Sequence, residues 1–238
     1  MVTLDGINAK FNRANQQLSS LNSEVNIFRK TQRQFIAEEI EPKTGHKIWI
    51  FRGETPDIPI EWSVRIGEIL YNFRSTLDYL IEQLILVNKC VPTNRNAFPI
   101  FLSPNKFQSD TKPMLNGVSS RVEAIIEEMQ PYHGHDVFKH LWRLHVLNNI
   151  DKHRHLNMVA GVLNIRNVRV QSSDPRFRQE NFTPALGPLK ANTVILRSRD
   201  PEVVVNVNFT IDIAFGDSIP QVTDNLDVLN ILDLLNLE

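Results

Sequence analysis

Apolar residues recur at alternating steps of three and four from Leu4 through Ile7, Phe11, Ala14, Leu18, Leu21 and Val25 to Phe28, which predicts a first helix with one unbroken apolar stripe. The positions between them are mostly Asn, Gln, Ser and Lys rather than paired Glu and Lys. The stripe is therefore expected to meet a helix of the same chain rather than a second copy, although a dimer through this helix stays open. In QFIAEEIEPKTGHKIWIF two β-prone runs flank Pro42, Lys43, Thr44 and Gly45, predicting a hairpin near 34–51. After ETPDIP the helical spacing returns in Trp62, Ile66, Ile69, Leu70, Phe73, Leu77, Leu80, Leu84 and Val87, for a second long helix ending near Lys89. Residues 90–117 hold four prolines and read as a connecting loop with Phe98, Phe101 and Phe107 turned inward, followed by a short helix over about 118–129.

VFKHLWRLHVLNNIDKHRHLNMV follows Asp136, a suitable N-cap, and its apolar residues point nearly all round, as in a buried helix. From about 158 the period changes to two. Val203, Val205, Val207, Phe209, Ile211, Ile213 and Phe215 alternate with Asn206, Asn208, Thr210 and Asp212, which is a strand with one wet face, and 158–171 and 192–198 read as its partners. LDVLNILDLLNL near the end reads as a short apolar helix covering the sheet or a neighbouring subunit. The fold expected is α+β: a helical bundle over 1–157 with the hairpin inserted, and an antiparallel sheet with a short helix over 158–238, packed on the bundle as one unit.

Charge adds little. The 26 Lys and Arg against 27 Asp and Glu in 238 residues exclude a binder that relies on bulk positive charge, but not a local basic patch. Arg166, Arg169, Arg176 and Arg178 lie near only Asp174 and Glu180 and could track a phosphate backbone, although a solvated strand and loop is the preferred reading. Cys90 is the single cysteine, so no internal disulfide or multi-cysteine zinc site is expected, and it reads as a small core hydrophobe in a reducing compartment. No apolar run approaches a membrane span and the polar start is unlike a signal peptide, so a cytoplasmic protein without a membrane partner is expected. There is no Gly-rich phosphate loop and no GxSxG elbow.

The chemistry-bearing residues concentrate in one place. Six of the seven histidines lie between His133 and His155. On a helix, the stripe of Val137, Leu141 and Leu144 continues as Asn148, Asp151 and His155, so an apolar face turns polar. Beside it His145, Asn149, Lys152 and His153 form a second polar ridge. Burying Asp151, Lys152, His153 and Arg154 unpaired would be costly, so partners are needed. The second helix offers Arg74 and Asp78 one turn apart, so Arg74 is expected to meet Asp151, and Asp78 a histidine or Lys152. Asp151 with His155, or Asn149 with His153, have the spacing of chelating pairs, but no HExxH or repeated carboxylate motif accompanies them, and neither metal nor cofactor is expected.

LYNFRSTLDYLIEQL, FPIF, IIEEMQPYHGHD and LWRLHVLNNIDKHRHL together resemble a widespread bacterial family of uncharacterised proteins, through its RSxLD and NIDKHR motifs. More distantly, Asn148, Asn149 and His153 resemble the motif of HEPN (higher eukaryotes and prokaryotes nucleotide-binding) domains, helical bundles often found as dimeric, metal-independent RNases of toxin and phage-defence systems. The motif's arginine position is Asn148 here, which leaves Arg74 or Arg154 to supply the cation. The resemblance implies a HEPN-like bundle that binds or cleaves RNA. His153 would then remove the 2′ proton, Arg74 or Lys152 stabilise the phosphorane, Asp78 or Asp151 orient the imidazole, and Asn149, Arg154, His145 and Asn148 complete the site. A reading of another class is a non-catalytic assembly module, with the network as a structural lock and the dimer made by the first or last helix.

Overall fold

The computed structural model describes residues 2–31, 36–52, 57–154, 156, 158–171, 191–199 and 203–215. The fold is α+β. In chain order it runs α1 (Asp5–Thr31), β1 (Ile36–Ile40), β2 (Lys47–Phe51), α2 (Ile60–Val87), α3 (Pro104–Met114), α4 (Ser120–Glu128), a 3-10 turn (Pro131–His133), α5 (Asp136–Asp151), β3 (Met158–Gln171), β4 (Val194–Ser198) and β5 (Val204–Phe215). The expected C-terminal helix and His155 lie outside the described residues.

The chain forms two compact units, one of residues 1–21, 60–156 and 229–238, the other of residues 22–59 and 157–228. The hairpin thus groups with the C-terminal strands and with the last part of α1. In that unit β1, β2 and β4 make one antiparallel sheet, with Trp49 opposite both Glu38 and Leu196, while β3 and β5 make a separate antiparallel pair. The strand at 192–198 was expected beside 203–215; it pairs with the hairpin instead. Arg197 strengthens that pairing by donating to Glu41 across 2.8 Å.

In the helical unit α1 and α2 run antiparallel. Phe11 meets Phe73 edge-on at 5.9 Å, the Lys10 amine donates to Asn72 Oδ1 at 3.1 Å, and the Thr3 N–H donates to Gln83 at 2.9 Å. The apolar stripe of α1 is therefore occupied within its own chain, with Ala14, Leu18 and Leu21 buried. Helix α2 ends where Lys89 takes a left-handed φ of 59°, as expected from the loss of apolar spacing there.

Helices α2 and α5 are also antiparallel, with Ser63 Oγ donating to the Leu156 carbonyl at 2.9 Å and Gly67 lying under Asp151. Gly67 is needed for this close approach, because a Cβ there would collide with the Asp151 carboxylate. Gly67→Ala is expected to cost about 1–3 kcal/mol as overpacking, read from the denaturation midpoint. Asp151→Ala in the same chain should restore most of it, since alanine suits a helix better than glycine once the clash is gone.

Three boundaries differ from expectation. The stretch 90–117 contains α3: Ser103 occupies its N-cap position and Pro104 its first turn, where a missing N–H costs nothing. Helix α5 starts at Asp136 with His135 as its cap residue, not after Asp136, and it stops at Asp151, so residues 152–154 form a turn rather than a further helical ridge. Beneath these helices Ile81, Ile85, Phe98, Ile100, Phe107, Leu115, Ile126 and Leu141 form one core cluster, and Phe101 packs against it half-buried.

Candidate functional site

Residues 98–101 belong to no helix or strand, so their backbone groups need partners that no sheet provides. Three side chains supply them. Asp78 Oδ1 accepts the Phe98 N–H at 2.9 Å, and Arg74 Nη2 donates to the Phe98 carbonyl at 2.7 Å. The fully buried Gln130 accepts from the Phe101 N–H at 3.0 Å and donates to the Pro99 carbonyl at 3.0 Å. Arg74 and Asp78 also pair with each other at 2.9 Å. Gln130 carried no signal in the sequence, because nothing local marks a side chain that serves a backbone segment 29 residues away.

Arg74 does more than this. Its side chain is only 12% exposed, and its Nη1 is buried without a hydrogen-bond partner among the described residues. Burial holds its pKa below the ordinary guanidinium range, partly offset by Asp78. A guanidinium still stays charged at neutral pH. An unsatisfied N–H of this kind demands a reason, because leaving it unmade costs free energy.

Arg74 also lines a cavity, an open space of ≈ 530 Å³ bounded by α2, the 98–103 segment, α3 and α5. Phe101, Trp142 and Met114 form apolar wall, Lys106 and Asp110 on α3 form a charged rim, and His145 on α5 faces the same space. His145 stacks on Trp142 with ring centroids 5.5 Å apart and planes at 25°. The Asn149 amide meets its Nε2 at 3.0 Å. The atom at that distance is the amide nitrogen Nδ2, so Asn149 donates, Nε2 accepts, and the neutral ring carries its proton on Nδ1. Burial lowers the pKa of His145, and the positive charges of Arg74 and Lys152 lower it further, which favours the neutral ring.

The residues singled out from the sequence thus divide. Arg74, Asp78, His145 and Asn149 come together at or beside the cavity. Asn148 is buried within α5, and Asp151 sits over Gly67, two turns of α2 from Arg74, so the expected Arg74–Asp151 meeting does not occur. Asp78 meets the Phe98 N–H and Arg74 rather than a histidine or Lys152. Lys152, His153 and Arg154 are exposed in the turn after α5. None of the three lines the cavity, although the charge of Lys152 reaches His145.

Among the described residues no three His, Cys, Asp or Glu side chains converge to hold a metal ion. No described helix is long and apolar enough to cross a membrane. No protein-family model, curated protein or solved structure matches the chain.

Proposed function

We propose that the protein is a HEPN-like, metal-independent RNA-binding and RNA-cleaving protein, of the kind used in bacterial toxin and phage-defence systems, and that it works at the Arg74–His145 cavity. One observation carries this reading: a nearly buried guanidinium and an imidazole whose pKa burial lowers line the same open cavity. Phosphate oxygens satisfy such a guanidinium with short, charge-assisted hydrogen bonds. The aromatic walls suit the bases beside that phosphate.

In this scheme Arg74 neutralises the scissile phosphate and the His145 imidazole takes the proton of the neighbouring 2′-hydroxyl. The 2′-oxygen bonds to phosphorus as the bond to the 5′-oxygen breaks, and the imidazolium returns its proton to the departing 5′-oxygen. The products are a 2′,3′-cyclic phosphate end and a 5′-hydroxyl end. Asn149 orients the imidazole, Asp78 and the 98–101 segment orient Arg74, and Lys106 on the rim adds positive charge for the flanking backbone. His153, Lys152 and Arg154 contribute at most a basic surface.

A second reading has its own support. Arg74, Asp78 and Gln130 hold residues 98–101 in place, which is what a structural lock in a non-catalytic assembly module would do. Affinity for a short labelled oligoribonucleotide separates the two. Arg74→Met is expected to weaken binding by about tenfold or more in a protein that circular dichroism shows to be folded, since a charge-assisted phosphate contact is lost. Arg154→Met, which removes an exposed charge, should change it little. Equal weakening by both variants, or by neither, would leave the cavity without a role in binding RNA.

A further inference from the structure

A second cavity lies on the α1 side of the α2–α5 pair. It measures ≈ 180 Å³ and is lined by Phe11, Phe73, Leu77 and Leu144 among others, with Thr76 and His140 as the polar residues of its wall. Phe73, Leu141 and Leu144 are buried while Phe11, Thr76, Leu77 and His140 are half-buried, so this is an apolar pocket in the helix junction that opens to solvent. A cavity of about 150 Å³ lined by such side chains stays dry and takes a benzene ring, so the size class is that of a single aromatic ring.

The wall also dictates which ring. Phe11 and Phe73 meet at 62°, an edge-to-face pair whose outer faces and edges accept a third ring. Thr76 Oγ1 donates its proton to the Asn72 carbonyl at 2.9 Å, so toward any ligand the hydroxyl acts as an acceptor. Arg143 Nη1 lies 3.3 Å from His140 Nδ1, and because an arginine only donates, Nδ1 accepts and the imidazole is fixed in orientation. The lining contains no carboxylate and no lysine or arginine, so nothing in it would neutralise a charged ligand.

We infer that this cavity is a binding site for a small, neutral, monocyclic aromatic molecule that carries one hydrogen-bond donor, a phenol or an aniline, with its ring among Phe11, Phe73, Leu77 and Leu144 and its donor on Thr76 Oγ1. Phe73, Leu77 and Leu144 are the chain neighbours of Arg74, Asp78 and His145, so the ligand would brace the helix turns that carry the RNA-binding groups. The site itself does not depend on the RNA reading.

Methyl-resolved NMR on the full-length protein, titrated with phenol and separately with toluene, tests it. Both ligands should give saturable shifts at the Leu77, Leu141 and Leu144 methyls. Thr76→Val keeps the side-chain shape and removes the acceptor; it should weaken phenol about tenfold, the amount one neutral hydrogen bond supplies, and leave toluene unchanged. Leu144→Phe fills the space and should abolish both, and Arg74→Met should leave both as they are. Shifts that rise linearly to the solubility limit, or a phenol affinity that survives Thr76→Val, would overturn the assignment.

Discussion

His145→Ala is expected to lower the rate of RNA cleavage by about 10²- to 10⁴-fold, the contribution of a positioned general base. The loss should fall on kcat with KM little changed, because Arg74 remains to bind phosphate. His153→Ala should leave the rate essentially as it is, since that ring is exposed beyond the end of α5 while His145 faces the cavity. The stability cost of His145→Ala is modest, about 1 kcal/mol for the hydrogen bond to Asn149. Rates on a defined oligoribonucleotide, with thermal melts of the same samples, read both effects. Loss of activity in step with loss of folded protein would favour the lock, and loss in His153→Ala alone would move the chemistry to the turn.

Asp78→Ala should have the largest effect on stability, about 2–3 kcal/mol. Asp78 is the counterion of a nearly buried guanidinium and the acceptor of the Phe98 N–H, so its removal leaves a buried charge unpaired and a buried donor unmet at once. For a chain of this size that corresponds to a fall in Tm of roughly 5–10 °C. Asp78→Asn keeps an oxygen in the same place without its charge and should cost less than half as much. Asp110→Ala, which breaks the exposed pair with Lys106, should stay within about 0.5 kcal/mol. Urea midpoints of the three variants make the comparison; equal costs for Asp78→Ala and Asp110→Ala would mean that the 98–101 segment needs no side-chain support.

Much of the fold was legible where one period ran long enough. The stripes of α1 and α2, the two runs of the hairpin and the alternation in β5 are each local, and each element lies where its pattern predicts. What failed was non-local or weakly patterned. Helix α3 buries only Phe107 and Thr111, so its four-residue spacing was too sparse to outweigh the prolines at 104 and 113. The five residues of β4 carry no mark of which neighbour they join, and their partner lies some 150 residues back. The end of α5 was hidden because DKHR is compatible with a helix, and only its lack of packing stops it.

The candidate site divides in the same way. Arg74 with Asp78 and His145 with Asn149 are one-turn pairs, visible from spacing alone, and both pairs meet. Their shared surroundings were not visible, because the backbone of 98–101 that recruits Arg74 and Asp78 can be counted only once the segment is known to lie outside any helix or strand. The expectation that Arg74 would reach Asp151 assumed charges seek the nearest opposite charge; here a backbone carbonyl and an Asp one turn away reach the guanidinium first.

The most direct measurement is the NMR titration of the His145 ring with and without inorganic phosphate. In the free protein the midpoint should lie below the ordinary 6.5, since burial and the nearby cations disfavour the imidazolium. An anion held between Arg74 and His145 reverses the balance, so phosphate should raise the midpoint, phosphate affinity should increase as the pH falls through that range, and Arg74→Met should abolish the rise. A His145 midpoint indifferent to phosphate, with His153 responding in its place, would contradict a shared anion site.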